Sequence, residues 1–134
     1  MTRIRTGILG VTLAFVTLTG AVSAHHGTNI SYDHDKPLTL TGTVTEFVWR
    51  NPHAQLYLEV KDTGGVAHQW ASELNSPSVL RRQGWTREMF KPGHAITLTV
   101  FPAKSGATVG VVDRTKPILV DGNEVVRPIA RNVD

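Results

Sequence analysis

The segment from Leu38 to Leu74 alternates apolar and polar residues three times in succession, and this pattern constrains the fold more than any other feature. Side chains on a strand point to opposite faces in turn, so a period of two marks a strand with one buried face. In "LTLTGTVTEFVW" the period places Leu38, Leu40, Val44 and Val48 on one face and Thr39, Thr41, Thr43 and Thr45 on the other. Gly42 interrupts the series and marks a bulge or a bend at a barrel corner. "RNPH" ends the strand, because Pro52 lacks a donor and turns Asn51 away from helix. "HAQLYLEVKD" resumes the alternation, with Ala54, Leu56, Leu58 and Val60 opposite Gln55, Tyr57, Glu59 and Lys61. "DTGG" is a hairpin turn, and "VAHQWASEL" reads as a third strand with Val66, His68 and Trp70 on one face.

The period then changes. In "NSPSVLRRQG", Ser76 is placed as a helix N-cap, Pro77 at the first helical position and Gly84 beyond the end. "WTREMFKPG" predicts a further helical turn, so a plug over Pro77 to Phe90 brings Trp85, Met89 and Phe90 into the core. Strand four is "HAITLTVFPA", with Ile96, Leu98 and Val100 inward. A fifth strand follows around "GVVDRTKPILV", broken at Pro117, and "DGNEVV" forms a last hairpin turn. Three strands, a helix and two strands give the predicted fold class: mainly β, a small five-stranded OB-type β-barrel with a short helix between strands three and four. An open α+β roll and a sandwich share this element order and stay open.

The N-terminal end reads as a secretory signal. Arg3 and Arg5 precede the apolar run Gly7 to Gly20, and Val22-Ser23-Ala24 matches a small-x-small cleavage site. The apolar run falls short of the ~20 residues of a bilayer span, so no stable membrane span is expected after processing. The expected organisation is a signal peptide at 1–24, an N-terminal arm at 25–37, a barrel domain at 38–126 and a tail at 127–134. The expected compartment is the periplasm or the exterior. Removing Arg3 and Arg5 from the 14 basic residues leaves 12 against 11 acidic ones, which argues against nucleic acid as a partner. The chain has no cysteine, so the core alone must hold an exported domain together. Soft sulfur ligands are effectively absent.

Several stretches carry a family likeness: "HHG" after the signal, "YDHDK" before "LTLTGTVTEFVWRNPH", and "SPSVLRRQGWTREMFKPG" before strand four. Over nearly the whole mature length the chain resembles the small exported bacterial proteins grouped as domain of unknown function 6152. The resemblance implies an envelope or secreted domain and brings no established activity.

The histidines supply the sharpest chemical expectation. Cleavage after Ala24 gives His25 both a free α-amine and an imidazole, a chelating pair for a divalent metal. Copper(II) heads the affinity order for such nitrogen donors. His26, His53 and His34 are the candidate additional ligands. "RNPH" fixes His53 at a corner between strands, and His34 is flanked by Asp33 and Asp35. His94 lies at the mouth of strand four. The competing reading is a metal-free module that binds a small ligand, a glycan fragment or a protein partner in the envelope through Trp49 and Tyr57 on an OB face. Catalysis has the least support: the chain carries no Gly-x-Ser-x-Gly elbow, phosphate-cradling glycine loop or His-Glu-x-x-His helix.

Overall fold

A computed structural model describes residues 31–126 and 128–129. Eight elements follow one another: β1 (Leu38–Val48), β2 (Gln55–Lys61), β3 (Ala67–Glu73), α1 (Pro77–Arg82), β4 (Ala95–Pro102), β5 (Val109–Val112), β6 (Ile118–Val120) and β7 (Asn123–Val126). The strand order β1-β2-β3-β5-β4 returns to β1 through a β1–β4 pairing. These five strands therefore close into a barrel with the helix between β3 and β4. All pairings are antiparallel except β3 with β5. This connectivity is that of an OB-type barrel.

β1 serves two neighbours, and its sequence shows how. Residues Leu38 to Thr43 pair with β4, and Thr43 to Val48 pair with β2. Gly42 stands at the changeover, where a Cβ would lie 2.3 Å from the Glu59 carbonyl oxygen. Only a residue without a side chain permits this approach. The bulge itself falls between Val44 and Glu46. It shifts the phase of the strand, so Phe47, opposite buried Leu56, faces the core. Val48 lies opposite Gln55 and faces outward, which corrects the simple alternation expected for β1.

The inward positions of β2 and β4 are those expected: Leu56, Leu58, Ile96, Leu98 and Val100 are all buried. The β2–β3 hairpin extends past the barrel, which leaves Val66 58% exposed and His68 at the surface. His68 Nε2 bonds Asp62 Oδ2 at 3.0 Å instead, and Asp62 Oδ1 accepts the Gly64 and Val66 amides. Trp70, nearer the barrel, packs against the core. The break at Pro117 divides the expected fifth strand into β5 and β6. Both lie against β4, at Val100–Pro102 and Ile96–Thr97, and β7 adds outside β6.

The helix has the expected boundaries, with Ser76 extended at the N-cap position, Pro77 at the start and Gly84 at φ +84°. The Ser76 hydroxyl, however, pairs with that of Ser78 at 3.1 Å and caps no backbone amide. The helix is shorter than the expected plug, because residues 85 to 90 are irregular and hold a single turn, closed by the Met89 amide on the Thr86 carbonyl. The plugging side chains are nevertheless those expected. Leu80, Trp85 and Phe90 are buried, and Met89 packs against them. Phe90 stands edge-on to Phe47, with ring centroids 5.1 Å apart, so the plug and the bulged end of β1 share one aromatic cluster.

Candidate functional site

Glu73 ends β3 on the outer face, between buried Ser72 and Leu74. It pairs with Gln55 of β2 and Val111 of β5, and it is itself buried. A carboxylate removed from water needs hydrogen-bond partners, and the fold supplies them from two chain-distant segments. The first is the arm. The Asp33 amide donates to the Pro102 carbonyl and the Lys104 amide to the Ser31 carbonyl, both at 2.8 Å. Tyr32 bridges to Ala103 between them. This short pairing lays the arm along the end of β4, and the Tyr32 hydroxyl donates to Glu73 Oε2 at 2.7 Å.

The second segment is the β1–β2 corner. His53 follows Pro52, whose bond to Asn51 is cis. Backbone bonds between Ala54 and the stretch Leu74–Asn75 tie the corner to the end of β3. His53 Nδ1 then reaches Glu73 Oε1. The carboxylate accepts from both sides, so Nδ1 carries the proton of this bond. In the neutral ring Nε2 therefore keeps its lone pair. The His53 side chain is 45% exposed whereas that of Glu73 is 11% exposed, so a fixed imidazole meets solvent above a buried carboxylate.

Tyr32 responds strongly to this setting. Burial first, then the hydrogen bond to Glu73 and the Glu73 charge, push its phenol well above the ordinary tyrosine range. The hydroxyl thus stays a donor at neutral pH and locks the arm to the carboxylate. A hydrogen-bonded carboxylate behind an imidazole orients the other ring nitrogen toward a ligand, and this arrangement recurs behind metal-bound histidines. It can also hold a polar organic group.

The remaining expected residues are distributed as follows. His25 and His26 lie outside the described residues. His34 stacks at a tilt on Phe101, with ring centroids 4.5 Å apart, and lines a hollow with Asp113 and Arg114. His94 Nδ1 accepts the Lys91 amide at 3.3 Å. Among the described residues no group of three or more His, Cys, Asp or Glu side chains is placed to hold a metal ion. Tyr57 projects from the outer face of β2 and donates to Gln55 Oε1 at 2.8 Å. Trp49 packs edge-on to Phe47 and borders a hollow with Arg81 and Arg87. Sequence reasoning missed Glu73 and Tyr32. The available signal was a lone acidic residue at an outward position of β3, which an exposed face explains equally well.

Comparison with known proteins adds the family. The model described as "Family of unknown function (DUF6152)" matches residues 14–122. The chain belongs to this family. The match spans the arm, all five barrel strands and the helix, so Tyr32, His53 and Glu73 lie within the family's extent. No curated protein and no solved structure matches the chain.

Proposed function

We propose that this is an exported binding protein that holds a divalent metal, copper(II) first, between its processed N-terminus and His53. In this reading His25 contributes its α-amine and imidazole, with His26 beside it. His53 contributes Nε2 from the barrel. The observation that carries the proposal is the Tyr32–Glu73–His53 chain, which fixes one imidazole and brings the arm to the same carboxylate. His26 precedes Tyr32 by six residues, a tether that reaches about 20 Å when extended. Tyr32 and His53 are separated by a single carboxylate, so that reach is ample. The Glu73 charge behind the ring strengthens His53 as a donor. The absence of cysteine favours a borderline divalent ion over soft cuprous chemistry.

Calorimetric titration of copper(II) into protein that begins at His25 tests this reading. His53→Ala, and separately one extra Ala placed before His25, are each expected to weaken binding by about tenfold or more. Unchanged affinity in both variants contradicts it.

A second reading rests on Tyr57 and Gln55, which stand beside the His53 corner on the outer β2–β3 face. OB barrels bind oligosaccharides and other small ligands on that face. In a thermal-shift comparison of metal-stripped protein, stabilisation by a glycan fragment that is lost in Tyr57→Ala favours this reading. No shift with such ligands counts against it.

A further inference from the structure

On the side of the barrel closed by the plug, a cavity of about 270 Å³ opens between the Gln83–Met89 stretch and the β7 end of the chain. Trp85, Met89, Val126 and Ile129 form its apolar side, and Gln83 and Arg114 its polar side. One charged group faces this lining. Arg114, in the turn between β5 and β6, lays its guanidinium over the Trp85 ring at 4.5 Å and donates from Nη2 to Gln83 Oε1 at 2.7 Å. Its backbone carbonyl accepts the Ile129 amide at 2.9 Å, which holds the far wall against it.

The rest of that guanidinium is unanswered. Nε and Nη1 are shielded from water and have no hydrogen-bond partner among the described residues. No carboxylate among them forms an ion pair with Arg114. A shielded donor without an acceptor is costly, and Arg114 is a half-buried cation with no counter-charge beside it. Burial accordingly pushes the Arg114 pKa down. We infer that this cavity is a binding site for a small amphiphilic carboxylate, whose head group meets the Arg114 guanidinium and whose alkyl body lies against Trp85, Met89, Val126 and Ile129. Charge selects the head, because guanidinium–carboxylate hydrogen bonds are among the strongest a site can offer. The apolar lining selects the tail, and a wholly polar anion leaves it unused. The volume lies just below the roughly 300–1,000 Å³ of pockets for drug-sized ligands, which sets the occupant at a short or medium chain.

This inference is independent of the metal reading, since it uses none of the residues around Glu73. Sodium octanoate, titrated into the full chain, is the probe, with acetate and 1-octanol as the tail-less and head-less comparisons. Saturable octanoate binding that is stronger than either comparison is expected. Arg114→Met, which keeps an unbranched apolar stem but removes the guanidinium and its charge, should weaken it roughly tenfold or more. Met89→Trp narrows the opposite wall, should also weaken it, and decides the matter if Arg114→Met fails to fold. Copper affinity should be unchanged in both. Octanol binding as well as octanoate, or octanoate binding equally to folded Arg114→Met, overturns the inference. Octanoate binding only after removal of residues 130–134 also overturns it, because the chain's own end then fills the cavity.

Discussion

At the scale of single residues, the site depends on one carboxylate with two donors. Tyr32 makes its strength measurable. Its phenol has an ordinary value of 10.0 and is raised by burial, by the hydrogen bond to Glu73 and by the Glu73 charge. The folded state therefore holds this proton more tightly than the unfolded chain. The resulting stability is complete below pH 10 and is lost as the pH rises above it. Ultraviolet titration of a Tyr57→Phe protein isolates the Tyr32 transition, which should lie well above pH 10. Glu73→Gln removes the charge and leaves burial in place, so the transition should move down toward the ordinary value. An unmoved transition in Glu73→Gln contradicts the role given to this carboxylate. His53 was legible from its place after Pro52 at a strand corner. Glu73 and Tyr32 were not, because their partnership joins positions 41 residues apart. Residue type and spacing carry no signal for contacts made by chain closure.

At the scale of elements, local pattern served well wherever one face of a strand meets the core along its whole length. β2 and β4 illustrate this, and the inward residues of both follow from alternation alone. β1 departs from the pattern because it turns from one neighbour to another. Its bulge changes which side chains face inward, and the sequence shows only the glycine beside that change. Gly42→Ala should lower stability by about 1–3 kcal/mol, since the new methyl must displace the β2 backbone at Glu59 rather than a flexible side chain. Urea denaturation checks this, and an unaltered midpoint contradicts the close approach described for β1 and β2. The plug shows the opposite balance. Its boundaries and buried residues were readable, while its second turn failed to form a helix. Residues 85–90 place Trp85 and Phe90 in the core without helical spacing, because the aromatic cluster with Phe47 governs their positions.

At the scale of the whole molecule, the barrel acts as a rigid frame that brings the arm, the β1–β2 corner and the end of β3 to one place. The same frame carries the Arg114 cavity against the plug, built from other residues. OB-type closure was legible from element order, and the pairing of β1 with β4 completes it. What the element order does not reveal is that the arm pairs with the end of β4, which makes residues ahead of the first strand part of the barrel's chemistry. The most direct test of the proposed function is the electron paramagnetic resonance spectrum of copper(II) bound to protein that begins at His25, recorded beside His53→Ala. If the barrel supplies a nitrogen to the metal, the nitrogen hyperfine pattern changes and loses one coupled nucleus in the variant. Superimposable spectra from the two proteins would contradict a metal site shared between the terminus and the barrel.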